Sequence, residues 1–237
     1  MGLINKNNEV IIDFLYDELY NWCTRECHAY PAKKDGKWGL IDRNNNIVED
    51  FIYDYAQLLS VDEDNAGEFI YFIKNNRRAI YSTKKKEFIT NFDYSFFGYL
   101  SENRFLAHKN GNVGFIDTNG EEVISFIYDS PIPFGDNEFL EGRVVVYKDG
   151  EAGMIDLEGN IIIPFEYREV YNCREGMIWA TDKNKNDGFL NRNGETVIPF
   201  GKYHIHSDFN NGFANVWDEN HGNCYIDKNG NILEIKI

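Results

Sequence analysis

The chain has 237 residues, of which 43 % are hydrophobic and 16 % aromatic, with 39 acidic against 24 basic residues and a formal net charge of −15. This apolar content excludes a disordered chain, and the negative charge opposes binding to phosphate backbones and to anionic membranes. We expect no nucleic-acid and no membrane partner. Solubility explains the acidic excess most simply, and attraction of a basic partner is the alternative.

The N-terminus, from Met1 to Lys6, has no apolar core of a signal peptide, and no apolar stretch of the chain approaches the length of a membrane span. We therefore expect a cytoplasmic protein without a transmembrane helix. The four cysteines, Cys23, Cys27, Cys173 and Cys224, are too few for a disulfide framework in a chain of this length, so reduced thiols are expected.

A phrase of the form Gly-x-Ile-Asp, followed by a polar turn and an apolar run that ends in Phe-x-Tyr, recurs along the chain. The seven copies, some of them weak, begin at Gly2, Gly39, Ala79, Gly114, Gly153, Gly188 and Cys224. A period of about 35–40 residues marks an array of small supersecondary units. We predict a single array over residues 1–237, without a linker, in units anchored at these seven positions.

Each unit divides into three short runs typical of strands. The first contains the Gly-x-Ile-Asp phrase and is followed by a turn such as Asn119-Gly120, which supplies the positive φ that a tight hairpin needs. Asp117, two residues ahead of that turn, is placed to accept hydrogen bonds from turn N–H groups. Three such runs per period, none with helical periodicity, predict an all-β protein with no helix longer than two turns.

The second run of each unit is β-branched and ends at a column of tyrosines, which we call the tyrosine column. Its members are Tyr16, Tyr53, Tyr94, Tyr128, Tyr167 and Tyr203. We expect these rings to be largely buried between repeats and their hydroxyl groups to be hydrogen-bonded.

The array begins and ends inside a unit, because the chain has seven hairpin phrases and only six third runs. An open or partly curled solenoid of β-hairpin or three-stranded meander repeats accommodates this count. A closed β-propeller, in which the terminal pieces complete each other, is the alternative. A ring of seven three-stranded blades would be one strand short, which favours the open array.

Two segments resemble the bacterial WG-repeat family, which is named for its Trp-Gly pair. They are Gly-Lys-Trp-Gly-Leu-Ile-Asp at 36–42 and Gly-Asn-Ile-Ile-Ile-Pro-Phe-Glu-Tyr at 159–167. The resemblance covers essentially the whole chain, although only Trp38 keeps the family Trp. It implies a β-rich interaction module and supplies no catalytic residues to transfer.

Two histidine-containing groups are candidate metal ligands. Cys23 and Cys27 stand next to His28, but no second closely spaced pair follows at zinc-finger distance, so structural thiols are favoured. His204 and His206, with Asp208 nearby, fall on one face of a strand. They would need a third ligand such as His221, so exposed strand histidines are favoured there. We expect no metal and no cofactor.

The acidic run at 62–64 and the pair Glu121-Glu122 could attract Ca²⁺, but neither has the alternating oxygen ligands of a calcium loop, which favours solvated charges. No nucleophile elbow, phosphate loop or dinucleotide fingerprint is present in the sequence. The four tryptophans could form a stacking surface for a sugar or peptide, although packing between repeats is favoured for each. They are Trp22, Trp38, Trp179 and Trp217.

We therefore expect a non-catalytic interaction or scaffold protein that binds a protein or peptide through a repeat surface. We expect this partner to be basic rather than acidic. A carbohydrate-binding module or carbohydrate-active enzyme is the alternative, since aromatic rings stack on sugars and paired carboxylates meet only in space. A deep central pocket lined by carboxylates with strongly perturbed pKa values would favour the enzyme.

Overall fold

The computed structural model describes residues 1–20, 29–59, 68–129 and 138–233. Within these ranges the chain forms strands and turns and no helix, in several small antiparallel sheets of which none closes into a barrel, so the predicted all-β class and repeated meander units are confirmed. The predictions made for Trp22, Cys23, Cys27, His28 and residues 62–64 concern positions outside the described residues.

The strands follow one another as meanders along the chain. The first three groups are β1 Leu3–Ile4 and β2 Val10–Ile12; β3 Glu18–Leu19, β4 Tyr30–Lys34, β5 Lys37–Ile41 and β6 Ile47–Tyr53; β7 Tyr55–Leu58, β8 Phe69–Lys74, β9 Arg77–Ser82 and β10 Glu87–Phe88. Next come β11 Tyr94–Ser101, β12 Arg104–Lys109, β13 Asn112–Asp117 and β14 Glu122–Tyr128. The last groups are β15 Arg143–Lys148, β16 Glu151–Asp156 and β17 Ile161–Tyr167; β18 Glu169–Val170, β19 Met177–Thr181, β20 Asp187–Asn191 and β21 Thr196–Ile198; β22 His204–Ile205, β23 Phe213–Asp218, β24 Gly222–Asp227 and β25 Ile232–Leu233.

Most repeats contain one strand more than the sequence indicated. The additional strand opens the meander directly after the tyrosine column, as in β7, β18 and β22. It is only two residues long in β18 and β22, too short to show a pattern of alternating residues. Three of the sheets are thus four-stranded antiparallel meanders with the Gly-x-Ile-Asp phrase on the third strand. In the described residues β7 to β14 join into one eight-stranded sheet, and β15 to β17 form a three-stranded sheet.

Contacts divide the chain into two compact units, Met1–Asn110 with Gly114–Glu122, and Gly111–Val113 with Val123–Ile237. Each unit has cores of its own. In the first, Trp38 and Phe72 belong to one buried cluster. In the second, Met154 and Leu190 belong to a buried cluster, and Phe189 and Ile226 to another.

The glycine of the repeated phrase is required because an aromatic ring from the segment after the hairpin turn lies over it. A Cβ atom added to Gly153 would lie 2.6 Å from Phe165 Cδ1, and one added to Gly188 would lie 2.9 Å from Phe200 Cγ. Real Cβ atoms do not approach other atoms so closely. A side chain at this column would therefore displace the ring that fills the space between the strands.

The tyrosine column is buried, as predicted. Tyr16, Tyr53, Tyr94, Tyr128 and Tyr203 are all at most 7 % exposed, and Tyr167 is half-buried. The hydroxyl groups of three members donate hydrogen bonds. Their acceptors are Asn45 Oδ1 at 2.8 Å for Tyr16, Glu49 Oε2 at 3.0 Å for Tyr53 and the Gly230 carbonyl oxygen at 3.0 Å for Tyr203.

Three tyrosines of the column also cover the phenylalanine of the following repeat. The ring centroids are 5.8 Å apart for Tyr16 and Phe51, 5.9 Å for Tyr128 and Phe165, and 5.7 Å for Tyr167 and Phe200. The Phe-x-Tyr signal in the sequence is thus an aromatic contact between successive repeats, and such pairs contribute beyond the area they bury.

The hairpin turn of each repeat is held by the side chain that begins it. Asp156 Oδ1 accepts from the backbone N–H groups of Glu158 at 3.0 Å and Asn160 at 2.7 Å, while Asn160 Nδ2 donates to Asp156 Oδ2 at 2.9 Å. Asn191 makes the same two contacts to the backbone, and its Nδ2 donates to Glu195 Oε2 at 2.7 Å. An acid–amide pair four residues apart therefore closes both turns. The acid comes first in the pair Asp156 and Asn160, and the amide comes first in the pair Asn191 and Glu195.

The two orders predict a compensating pair of substitutions. We expect Asn160→Glu to destabilise the protein by about 1 kcal/mol, because it places a second carboxylate against Asp156 and removes an amide donor. Asp156→Asn combined with Asn160→Glu should restore most of the loss, since the pair then reproduces Asn191 and Glu195. Urea unfolding of the three proteins measures this coupling, and equal stability of the single and double variants would contradict it.

Candidate binding surface

Part of the acidic excess supports turns. Asp54 Oδ2 accepts from the Asn75 N–H at 2.9 Å, and its Oδ1 accepts from Lys37 Nζ at 2.7 Å. Asp129 Oδ2 accepts from the Gly150 N–H at 2.7 Å. Both aspartates follow a member of the tyrosine column directly, and this Tyr-Asp pair is a sequence signal that our sequence analysis missed.

Every described carboxyl group with a clearly shifted pKa has that pKa lowered. In Asp42 the hydrogen bond from the Asn46 side chain is the largest cause, and in Asp182 and Asp227 it is a backbone N–H of the turn. In Asp156 burial opposes the shift of the pKa, but the hydrogen bonds from Asn160 and the turn outweigh it. These carboxylates are stabilised as anions, which suits turn formation and not proton donation near neutral pH.

The candidate metal ligands His204, His206 and His221 lie on the surface of the second unit. His204 contacts the Trp217 ring at 5.6 Å between centroids, His206 Nδ1 lies 3.2 Å from Asn215 Oδ1, and His221 Nδ1 lies 2.5 Å from Asp218 Oδ1. Among the described residues, no group of three His, Cys, Asp or Glu side chains is arranged to hold a metal ion.

The remaining candidates fall into the core or onto turns. Cys173 and Cys224 are free and buried, while Glu121 and Glu122 are exposed beside the turn that begins at Asp117. Trp38 is only 2 % exposed and belongs to the core of the first unit. Trp179 is half-buried and Trp217 is 37 % exposed, so these two remain available to a ligand.

No helix in the described part of the chain could cross a membrane.

One row of side chains differs in character from repeat to repeat. It crosses the first three strands of a meander, at positions that lie directly opposite one another and therefore on one face of the sheet. The row is Glu18, Lys33 and Trp38; Tyr55, Ile73 and Arg78; Glu169, Thr181 and Asp187; His204, Trp217 and Asn223. We call it the variable row. The glycine, tyrosine and turn positions recur because the fold requires them, whereas this row can differ among repeats and is where specificity can reside.

Two members of the variable row in the second unit, Glu169 and Asp187, belong to an acidic–aromatic cluster, which we define as Glu169, Tyr171, Trp179 and Asp187. The Tyr171 and Trp179 rings stack with centroids 4.4 Å apart. The Tyr171 hydroxyl donates to Glu169 Oε2 at 2.7 Å, and Trp179 Nε1 donates to Asp187 Oδ1 at 3.1 Å. All four side chains are half-buried, so two stacked rings and two carboxylates face the solvent together.

Electrostatics in the cluster follow from this geometry. Burial raises the pKa of the Tyr171 hydroxyl, and the hydrogen bond to Glu169 raises it further, so the phenol stays protonated and holds the carboxylate in place. Thr181 Oγ1 also donates to Asp187 Oδ1, at 2.8 Å. Both carboxylates are thus oriented before any ligand arrives, which lowers the entropic cost of binding.

The first unit has a different arrangement in the corresponding place. The hydroxyl groups of Tyr55 and Tyr71 both donate to Gln57 Oε1, at 2.9 Å and 3.0 Å. The Arg78 guanidinium lies 5.2 Å from the Tyr71 ring and 5.5 Å from the Phe96 ring. This surface offers aromatic faces, an amide and one cation in place of paired carboxylates.

Comparison with known proteins identifies the repeat. The family model described as a WG containing repeat matches residues 1–38, 38–60, 114–151, 153–185 and 188–216, which together make up more than half of the chain. No curated protein matches the sequence.

Several solved structures resemble the chain at a low level. The computationally designed Ika8 protein is 12 % identical, with 96 % of this chain and 77 % of that chain covered and a TM-score of 0.40. Hsv2 of Kluyveromyces lactis is 10 % identical, with 85 % and 70 % covered and a TM-score of 0.40. The WD40 domain of Neurospora crassa Pan2 is 11 % identical, with 89 % and 74 % covered and a TM-score of 0.36. At these scores the resemblance carries no argument about function.

Proposed function

We propose that this chain, which belongs to the family of WG-containing repeat proteins, is a non-catalytic interaction module that binds a basic protein or peptide segment. The acidic–aromatic cluster carries the proposal. A lysine or arginine side chain placed over the Tyr171 and Trp179 rings would gain cation–π attraction, and its charge would lie beside the carboxylates of Glu169 and Asp187.

The long-range field of the protein favours the same partner. With a net charge of −15, the chain attracts basic segments and accelerates their encounter at low salt. The association should therefore weaken as the ionic strength rises.

The state of the carboxyl groups supports a binding role over a catalytic one. A general acid needs a pKa raised toward neutrality, whereas the described carboxyl groups with resolved shifts, such as Asp156 and Asp182, have pKa values lowered by turn hydrogen bonds. The described acidic groups with shifted pKa values thus already have a structural role.

A carbohydrate ligand is the second candidate, and the first unit favours it. Tyr55, Tyr71 and Gln57 combine two aromatic rings with an amide, the side chains that stack on sugar rings and bind their hydroxyl groups. The two candidates use different units of the chain and can be separated by substitution.

A charge-matched pair of variants tests the basic-peptide proposal. We expect Glu169→Gln to weaken binding of heptalysine about tenfold, because it removes one oriented carboxylate. Glu166→Gln removes the same charge from an exposed position of the same unit and should change binding less than twofold. Isothermal titration calorimetry at low and at high salt measures both, with maltoheptaose as the competing probe.

The outcomes are distinct. Salt-sensitive binding of heptalysine that depends on Glu169 supports the proposal. Equal effects of the two variants would show attraction by net charge alone and contradict the proposed cluster, and binding of maltoheptaose without heptalysine would favour the carbohydrate candidate. Proteins captured from native cell lysate by the wild type and lost with Glu169→Gln would then identify the partner.

A further inference from the structure

The first sheet of the described chain lacks a strand that the other repeats have. In β1 and β2, Leu3 lies opposite Ile12 and Ile4 opposite Val10, with a bulge between Leu3 and Ile4. The pairing of β16 with β17 has the same register and the same bulge between Met154 and Ile155. β1 is therefore the third strand of a meander. In the described residues it pairs only with β2, whereas β16 also pairs with β15 on its other edge.

The missing neighbour leaves a core position uncovered. Ile4 is 47 % exposed, although the residues at the same position of five other repeats are 0 % exposed and Tyr81, at this position of the sixth, is 1 % exposed. Those five residues are Ile41, Ile116, Ile155, Leu190 and Ile226. An isoleucine that is exposed at this one repeat and buried at the others marks a surface that a further strand would cover.

A second uncovered position lies next to it. Phe14 packs over Gly2 as Phe165 packs over Gly153, but Phe14 is 65 % exposed whereas Phe165 is half-buried. Phe165 is covered by Tyr128 of the preceding repeat. Among the described residues no tyrosine ring covers Phe14 in this way, and its ring is left exposed.

The other repeats show what kind of segment fits this site. The strand that precedes each Gly-x-Ile-Asp phrase has consecutive buried apolar residues, as in Val144, Val145 and Val146, and several of these strands end in lysine. In β15 the buried residues stand between Arg143 and Lys148. Such a segment combines an apolar centre with basic flanks, and the basic flanks complement a chain of net charge −15.

We propose that the edge of β1 that is unpaired in the described residues binds an extended segment of another polypeptide by strand addition. The segment supplies an apolar strand beside Ile4, an aromatic ring over Phe14 and basic flanking residues. The inference deepens the proposed role as a protein-binding module and rests on it, but it uses a site separate from the acidic–aromatic cluster. Backbone hydrogen bonds along the edge provide affinity, and the exposed apolar side chain of Ile4 selects an apolar partner.

A peptide taken from the chain itself is a suitable probe, because it has this pattern. The segment 94–109 contains the hairpin of β11 and β12, begins with Tyr94 and carries the buried residues Phe105, Leu106 and Ala107 between Arg104 and Lys109. We expect a fluorescent 94–109 peptide to bind the full-length chain saturably, as measured by polarisation. The same peptide with Phe105→Glu should bind at least tenfold more weakly.

Two surface variants with equal exposure locate the site. Ile4→Lys should weaken binding of the 94–109 peptide at least tenfold, and Ile52→Lys should leave it within twofold, since Ile4 and Ile52 are both 47 % exposed. Both positions face solvent, so circular dichroism should show that both variants remain folded. Glu169→Gln should not change binding of this peptide, which separates this site from the acidic–aromatic cluster.

Three results would overturn the inference: no saturable binding, equal loss in the two lysine variants, or binding that requires Glu169. Sedimentation velocity of the chain without peptide provides the fourth outcome. Self-association that is abolished by Ile4→Lys and not by Ile52→Lys would identify a second copy of the chain as the occupant, and would replace the proposed partner.

Discussion

Replacing Gly120 by alanine will destabilise the protein by about 2 to 5 kcal/mol, more than a methyl group added to any other turn glycine that the structure describes. Gly120 has a φ of +85°, and an added Cβ atom would lie 1.9 Å from the Ile89 carbonyl oxygen of the preceding repeat. The backbone of one of the two repeats must move to make room. Urea unfolding followed by tryptophan fluorescence measures the loss.

Gly150 provides the matched control for this prediction. Its φ is +82°, close to that of Gly120, but an added Cβ atom would meet nothing within 4 Å. Gly150→Ala should therefore cost only the local strain of a positive φ, about 1–2 kcal/mol. If both variants lose equal stability, the contact between repeats at Gly120 contributes nothing and our description of repeat packing is wrong.

Acid will destabilise the protein steeply below about pH 4. The turn aspartates Asp42, Asp117, Asp156, Asp182 and Asp227 all have pKa values lowered by folding. The pKa of an unfolded aspartate is about 3.9, so between the folded and the unfolded pKa the unfolded chain binds more protons. The stabilisation is complete above the unfolded pKa and is lost as the pH falls through the folded values.

A second effect of pH acts in the opposite direction above this range. As the pH falls from 7 toward the sequence isoelectric point of about 4.7, the net negative charge and its self-repulsion decrease. We therefore expect the urea midpoint to stay level or rise down to about pH 5 and then to fall. High salt should remove the rise of the urea midpoint above about pH 5 and leave its fall below that pH. The reason is that salt screens turn hydrogen bonds much less than it screens distant charges.

Midpoints at pH 7, 5, 4 and 3, each at low and at high salt, check the predicted profile. A protein as stable at pH 3 as at pH 5 would contradict the assignment of these aspartates as turn acceptors. The variant Asp156→Asn with Asn160→Glu should keep an acid dependence, since the carboxylate introduced at position 160 then holds the charge that Asp156 holds in the wild type.

Local features were readable from sequence because the turn chemistry is local. Asn119-Gly120 predicted a hairpin, and Asp117 ahead of it predicted an acceptor for the turn N–H groups; both are present. The Phe-x-Tyr ending predicted buried tyrosines for the same reason, since an aromatic ring that recurs with the period of the fold must pack in every repeat.

The short first strand and the candidate surfaces were not readable in this way. β18 and β22 have two residues each, and their backbone pairs with a strand that follows a turn. The acidic–aromatic cluster joins Glu169 and Tyr171 of one strand region to Trp179 and Asp187 of two others. Trp179 is a candidate from the sequence alone, but its partners are set by strand register.

The sequence by itself determined the all-β class, the repeat period, the hairpin turns and the buried tyrosine column, because each follows from interactions within one repeat or from a pattern common to all repeats. Only the tertiary structure decided which side chains meet across strands and between repeats, such as Gly120 with Ile89 or Tyr167 with Phe200. It also decided that Ile4 is exposed while its equivalents are buried. The physical reason is that the burial of a side chain and its contacts depend on the neighbouring strand. The residues next to it in the sequence do not specify which strand that is.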